Sequence, residues 1–483
     1  MKDNYNFSIP GSDTNAQLIK FINEIERELP VDTWKIFGID MWPAIRVKIA
    51  PTIYNKILNS QNNVAVTRKK LFFLKVATIL QFVRSIFYLL IVAMKNCTKV
   101  GAKNVVWLVS DGLSKMKIGD HWVDKLLGPV ANSVHGIFWD VKTFVKQPHW
   151  PQNTSINCCD NIVYIISRIT VKFVNYSKLD GFNIFLQKLA DAKINIQHMN
   201  MMHIHMYAIQ IKALYYWFCI LSCCYRLQSI YIVAYYSHFG HALSLLARKK
   251  NIPATEVQHG LFTNHPAYAK YINVPSGGYN TIPAYFWVWD EESKKQLISD
   301  SNINFSNAHA VSKVGIPDIM PLFNKLSNNS DLKFLDSISQ NKIPILVTLQ
   351  PEEFDVGVWD RLVAVILAMG NDYYWLIRQH PCFAADKRGL HKILNLSHCD
   401  NVNYQEAADL PIQVIFNHVK LHITYSSSSA IEANVYGVKT VFLSKCSKEC
   451  FPWLLENDSA IYADSEGVII AALATIQRGN GND

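Results

Sequence analysis

No two of the ten cysteines in this 483-residue chain are spaced Cys-x-x-Cys, so the sequence carries no cysteine zinc site of the usual spacing. The adjacent pairs Cys158-Cys159 and Cys223-Cys224 suit reduced, buried thiols better than a disulfide framework in a chain this long. There is no zinc finger and no basic motif interleaved with aromatics, which argues against nucleic acid as a partner. The stretch from Met1 to Asp13 is polar, so no secretory signal is read and the expected compartment is the cytoplasm. Internal repeats and low-complexity tracts are missing, which excludes a repeat array. Charge is sparse as well, at 18% of residues.

What is present is apolar. Half of the residues are hydrophobic and 12% are aromatic, enough to bury a large core, and the length calls for two or three domains. The net charge of +9 leans toward anionic partners such as sugar nucleotides, anionic glycans or anionic lipid. Leu71 to Ala93 is strongly apolar and is flanked by Arg68, Lys69, Lys70 and Lys95. Lys75 and Arg84 interrupt it, and a membrane span rarely tolerates two internal cations. A buried or amphipathic helix is expected there, with a helix lying on the inner face of the cytoplasmic membrane as the alternative. Tyr207 to Cys224 reads as a packed core helix.

From Asn104 the pattern becomes α/β. Short runs rich in branched residues, Val105 to Val109 and Ile162 to Ile166, read as buried strands. Ile230 to Tyr235, a helix over Ser237 to Lys250, and Thr255 to Gln258 form a βαβ unit that ends at His259-Gly260. Phe286 to Trp289 and Val311 to Gly315 are further strands. The Ser/Asn-rich stretch 322–342 is read as a linker between an N-terminal domain (1–321, with a helical extension) and a C-terminal domain (343–483). A second series follows: strand Ile343 to Thr348 ending at Gln350-Pro351, helix Trp359 to Met369, strand Tyr373 to Ile377 ending at Arg378-Gln379-His380-Pro381, helix Leu410 to Asn417, strand Leu421 to Thr424 ending in Ser426 to Ser429, helix Ala430 to Tyr436, and strand Thr440 to Leu443. Strand, helix and strand joined by short loops predict parallel, doubly wound sheets.

Ligands of such sheets bind beyond the carboxyl ends of strands, and polar residues cluster at those ends. Ser426, Ser427, Ser428 and Ser429 lie between a buried strand and a helix start, where small side chains let backbone N–H groups approach a phosphate; a plain serine N-cap is the ordinary alternative. Glu432, one turn on, is placed to take the hydroxyls of a ribose. His380, held by Pro381, can donate to a phosphate, and Arg378 adds charge-assisted bonding. Gln350 occupies the matching end of the preceding unit. In the first domain His259 can deprotonate an acceptor hydroxyl near neutral pH, and Gly260 allows a tight turn and close approach of substrate. His265, Tyr268 and Tyr279 are candidates for shaping an acceptor pocket.

The order Gln-His-Gly, Gln-Pro, His-Pro, then a serine cluster before an Ala/Glu helix resembles bacterial GT-B transferases of surface polysaccharide, over roughly Ile230 to Leu443. It is similar to the capsule and lipopolysaccharide Kdo-transferases, which pair Gln-Pro with His-Pro, and to bacterial sialyltransferases, which have His-Pro and Ser-Ser motifs. The resemblance implies two Rossmann-like domains facing across a cleft and a CMP-activated acidic sugar as donor. It implies a glycan or lipid-linked acceptor, inversion at the anomeric carbon and no cofactor, and the sequence contains no Asp-x-Asp metal motif. It also implies that His380 and Ser426 to Ser429 hold the nucleotide phosphate, with Gln350 close by. Those families commonly place an acidic base before a glycine. Here His259 stands in that place, and Asp111, before Gly112, is the alternative base. Three other readings share the pattern: a teichoic-acid-type polyol-phosphate transferase using CDP-glycerol, a nucleotide-sugar epimerase, and a non-catalytic membrane-associated scaffold.

Overall fold

The structure, a computed structural model, describes residues 12–49, 104–110, 114–133, 136–140, 160–194, 199–223, 226–263, 265–299, 302–338, 342–350, 357–379, 396, 399–404 and 406–479. The apolar segment Leu71 to Ala93 lies outside them. The described residues fall into two compact units, one holding 12–49, 104–110, 136–140 and 160–315, the other 114–133 and 316–479.

The first unit is built on a six-stranded sheet of β1 (Asn104–Ser110), β2 (Gly136–Asp140), β3 (Arg226–Ile232), β4 (Ala254–Val257), β5 (Tyr285–Val288) and β6 (Ala310–Val314). Every pairing is parallel and the spatial order is β6-β5-β4-β3-β1-β2. β4 is buried at all four positions, as a strand covered on both faces must be, although it carries Thr255 and Glu256. The helix His238–Lys250 joins β3 to β4. Ser237 caps it by accepting from the Gly240 N–H, and three basic residues sit in its last turn, where they meet the negative end of its dipole. The helix Met201–Cys223 precedes β3 and buries Ile204, Ala208, Ile211, Leu214 and Phe218.

An N-terminal helix, Ser12–Glu28, a two-residue hairpin (Lys35–Ile36 with Ile39–Asp40) and a helix over 42–49 pack on this unit. At their junction Glu26 and Arg46 form a fully buried ion pair of 2.9 Å. Arg46 also donates to the carbonyls of Ala269 and Lys270 and lies 3.9 Å over the Tyr271 ring. Glu26 accepts from Trp42 Nε1 and from the Ile272 N–H. Desolvation raises the Glu26 pKa, and the Arg46 charge opposes that rise. A charge pair out of water persists only when its remaining lone pairs and protons find partners, and this one ties the N-terminal helices to the loop after β4.

The second unit holds β7 (Ile343–Leu349), β8 (Tyr373–Gln379), β9 (Val402–Asn403), β10 (Leu421–Thr424), β11 (Lys439–Phe442) and β12 (Ala460–Tyr462). All pairings are parallel, in the order β9-β8-β7-β10-β11-β12. Ranked along the chain this is 3-2-1-4-5-6, the order of a Rossmann domain. Ile345, Val347, Trp375 and Ile377 enter one core layer, while their neighbours Leu346 and Leu376 enter the other, the period-two alternation of strands sandwiched between helices. Both units are Rossmann-like α/β domains.

Two expectations change. Ile162 to Ile166 is not a strand but part of the helix Asp160–Thr170; its buried residues Val163, Ser167 and Val171 recur every four positions, a helical period that the β-branched composition conceals. The stretch expected to link the domains is helical over Met320–Leu326 and Asn329–Ile338. Its Leu322, Phe323, Leu335 and Ile338 pack into the second unit's core, and its serines and asparagines lie mostly outside that core. The same core takes Ile118 and Val123 from an antiparallel hairpin, Lys115–Ile118 with His121–Asp124, so a segment from early in the chain belongs to the second unit.

Candidate active-site residues

In a sheet of order 3-2-1-4-5-6 the chain leaves the first and fourth strands in opposite directions, which opens a crevice at their carboxyl ends. In the second unit those strands are β7 and β10, followed by Gln350 and by Ser426 to Ser429. The Ser426 N–H donates to Gln350 Oε1 at 2.8 Å, so two of the sequence candidates meet at the switch point.

The four serines divide. Ser426, Ser427 and Ser428 are partly exposed, and the Ser427 hydroxyl accepts from the Ser429 N–H at 3.2 Å. Ser429 is buried, with its hydroxyl 3.2 Å from Thr348 Oγ1 and 3.3 Å from His422 Nε2. His422 is itself wholly buried, its Nε2 2.9 Å from Thr348 Oγ1 and its Nδ1 3.1 Å from Thr440 Oγ1. Desolvation pushes its pKa down to about 3, so the ring is neutral and works as a hydrogen-bonding strut. This network of β7, β10, β11 and the helix Ser429–Val435 fixes the floor of the serine turn. The sequence reading missed His422 and Thr348. Their signal was a polar residue inside each of two otherwise apolar strands.

Arg378 is half-buried and bonds to backbone carbonyls. Arg378 Nη1 donates to the Ala407 carbonyl at 2.6 Å and to the Leu410 carbonyl. Burial lowers its pKa to about 10 against the opposing charges of Glu432 and Asp409. Glu432 is buried, accepts from Gln413 Nε2 at 3.2 Å and has Lys125 Nζ at 3.9 Å. His380 and Pro381 lie outside the described residues, as does Asp111.

In the first unit the polar cluster gathers at the ends of β3 and β4. Glu256, the third residue of β4, is completely buried. Its Oε2 accepts from the Tyr235 N–H at 2.8 Å and its Oε1 from the Tyr268 hydroxyl at 2.6 Å. Oε1 also lies 3.5 Å from His259 Nδ1. The other ring nitrogen, Nε2, is 3.0 Å from the Tyr236 hydroxyl. His259 is thus bracketed by a buried carboxylate and a phenol. Burial pushes the neighbouring His265 down to about 3, with His259 and Arg46 adding to the shift, so His265 is neutral. Tyr268 is raised well above its ordinary value by desolvation and by the Glu256 charge, which keeps its proton in place as a donor.

The walls of this cluster are rigid. Tyr268 stacks on Phe262 with ring centroids 4.0 Å apart, and the Tyr235 hydroxyl donates to the Ala267 carbonyl. Gly240 packs so tightly under Tyr235 that a Cβ there would sit 2.3 Å from the Tyr235 carbonyl oxygen. At Gly260 a Cβ would meet nothing within 4 Å and φ is not in the left-handed region. Backbone geometry therefore does not demand that glycine, and the space before it is open. Tyr279 is buried away from the cluster, its hydroxyl donating to the Asn273 carbonyl at 2.6 Å. Gln258 braces the turn by accepting from the Trp289 N–H and donating to the Gly260 carbonyl and Ser293 Oγ. Tyr236 and the buried role of Glu256 were not singled out in the sequence, although both belong to runs at strand ends.

Among the described residues no three His, Cys, Asp or Glu side chains converge as a metal site, and no helix is long and apolar enough to cross a membrane. No protein-family model matches the chain, and no curated protein matches it. Solved structures do. A UDP-GlcNAc 2-epimerase from Methanocaldococcus jannaschii in complex with UDP-GlcNAc and UDP is 13% identical, with a TM-score of 0.42, 77% of this chain covered and 92% of that one. S. aureus MnaA in a co-structure with UDP is 12% identical at a TM-score of 0.44, covering 77% and 87%. The spinosyn rhamnosyltransferase SpnG is 10% identical at a TM-score of 0.37, covering 78% and 91%.

Proposed function

We propose that the chain is a GT-B glycosyltransferase that moves a sugar from a nucleotide-sugar donor to a hydroxyl of a glycan or lipid-linked acceptor. The observation that carries this reading is the buried Glu256 carboxylate 3.5 Å from His259 Nδ1, with a hydroxyl 3.0 Å from the opposite nitrogen. The carboxylate favours a proton on Nδ1, which makes Nε2 the acceptor facing the Tyr236 hydroxyl. The acceptor oxygen attacks the anomeric carbon as its proton passes through the Tyr236 hydroxyl to Nε2. The bond from the anomeric carbon to the phosphate oxygen breaks, and the electron pair leaves with the nucleotide. In the second unit the nucleotide phosphate is taken by the turn Ser426 to Ser428 beside Gln350, with His380 as a further donor. The motif order favours a CMP-activated acidic sugar, such as Kdo or a sialic-acid-like nonulosonate, used in surface polysaccharide synthesis.

A thermal-shift panel of CMP, CDP, UDP and GDP ligands tests the donor, since a ligand that binds only the folded state raises apparent stability. CMP is expected to give the largest shift. Incubating the preferred nucleotide-sugar with and without glycan acceptors then tests the reaction. A transferase releases nucleotide only as the sugar appears on acceptor. Donor turnover to an isomer without any acceptor identifies an epimerase, and transfer of glycerol phosphate from CDP-glycerol identifies a polyol-phosphate transferase. Either result overturns the proposal.

A further inference from the structure

The helix Asp160–Thr170 has two apolar faces. Val163, Ser167 and Val171 point into the first unit, where the Ser167 hydroxyl accepts from Gln210 Nε2 of the helix Met201–Cys223 at 3.1 Å. On the other side Ile166 and Ile169 of the helix are exposed, Ile169 by 57%, and so is Phe173 of the 3-10 turn Val171–Phe173 that follows it, by 83%. Arg168, Lys172 and Lys178 are exposed along the same stretch. Between Asp160 and Asp180 there is no carboxylate side chain, and between Asp191 and Glu256 there is again none. The supporting helix Met201–Cys223 exposes Tyr216 and Ile220, and Lys212 lies 5.4 Å from the Tyr216 ring.

We infer that this face docks on an anionic phospholipid bilayer. Apolar side chains standing proud of a surface, on a stretch whose residues 161–179 carry three cations and no carboxylate, match the interfacial mode of binding, in which aromatic and aliphatic groups enter the headgroup boundary while lysine and arginine pair with lipid phosphates. The charge argument selects the bilayer over a second copy of the chain, because two copies meeting through this face would bring like charges together. Here the inference stands apart from the transferase reading: it concerns where the first unit rests and needs no nucleotide.

The test is sedimentation of the full-length chain with vesicles of phosphatidylcholine alone and of phosphatidylcholine mixed with phosphatidylglycerol. Binding is expected only with the anionic vesicles, and it should weaken as salt is raised. Lys172→Gln should lower the partition coefficient about fivefold, and Phe173→Ser about tenfold or more. Both positions are exposed, so neither change should disturb folding. Leu367→Ser, at an exposed leucine of the second unit, should leave binding unchanged. Equal binding to both vesicle types, or full binding by Phe173→Ser, would overturn the inference. So would light scattering that shows a dimer which the Phe173→Ser and Lys172→Gln changes convert to monomer without any loss of vesicle binding.

Discussion

Lowering the pH should destabilise the first unit through His309, in a direction that the geometry fixes. The ring is fully buried. Its Nδ1 lies 2.7 Å from the Pro283 carbonyl oxygen, which only a protonated nitrogen can satisfy. Its Nε2 accepts from the Tyr279 N–H at 3.3 Å, and Arg248 Nη2 stands at the same distance. Both neighbours of Nε2 are donors, so a second ring proton would face two N–H groups and a guanidinium charge. Desolvation, reinforced by Arg248, accordingly pushes the His309 pKa down to about 3. In the unfolded chain the ordinary value is about 6.5. Below that value the unfolded state binds a proton that the folded state refuses. The stabilisation is therefore complete above about pH 6.5 and is lost at about 1.4 kcal/mol per pH unit as the pH falls toward 3. Between pH 7.5 and 5.0 the loss from this one residue is about 2 kcal/mol.

Other groups titrate in the same window, and Glu26, with its raised pKa, acts in the opposite direction. The measurement is therefore a difference. His309→Gln keeps a donor for the Pro283 carbonyl and an acceptor for the Tyr279 N–H but cannot titrate. Urea denaturation of both proteins, followed through peptides of the first unit, gives stability against pH for each. The curve of the substituted protein should be flatter by about 1.4 kcal/mol per pH unit between pH 6 and 4, even if it starts lower. Parallel curves would falsify the assignment of His309 as a buried neutral histidine.

Three further outcomes are expected. Glu256→Gln and Tyr236→Phe should each lower the rate of sugar transfer by about a hundredfold or more, the scale of a general base losing its orientation or its relay, while nucleotide binding, followed by thermal shift, stays within about twofold; a parallel loss of nucleotide binding would make these residues structural. Arg46→Met should cost about 3–5 kcal/mol by leaving Glu26 buried and unpaired, and adding Glu26→Gln should recover part of that loss in chemical denaturation, with no recovery showing that the pair is not the source. Gly240→Ala forces a Cβ to within 2.3 Å of the Tyr235 carbonyl oxygen. It should therefore lower the melting temperature by the equivalent of about 1–3 kcal/mol; an unchanged melting temperature would mean that the helix His238–Lys250 is free to shift.

The parallel sheets were legible because burial on both faces leaves little choice of residue. Ile343–Leu349 is a largely apolar run and Leu421–Thr424 a short buried one, each closed by a polar turn, and Gln350 and Ser426 were singled out for that reason. What escaped was whatever depends on partners distant in sequence. The hairpin Lys115–Asp124 carries no local sign that Ile118 and Val123 will pack with Leu322 and Ile338. In 322–338 the serines and asparagines cap and coat two helices, and a count of polar residues reads the same whether they coat helices or fill a loop.

The site shows the same division at finer scale. That four serines follow a buried strand is a fact of sequence. That the fourth turns inward is a fact of the helix it opens, whose first five residues, Ser429 to Ala433, are all buried. Once inside, its hydroxyl needs partners, and Thr348 and His422 supply them from two different strands. Each of these three polar residues looks like a flaw in its own element, and they satisfy one another, with Thr440 bonding the far nitrogen of His422. A buried polar group in a buried strand is therefore better evidence of a neighbouring turn that must be held still than of a ligand. By that reasoning a valine at position 348, isosteric with threonine but without the hydroxyl, should loosen the turn Ser426 to Ser428 and weaken nucleotide binding without touching any atom of the nucleotide. An affinity equal to that of the unsubstituted protein would mean that Gln350 alone holds the turn.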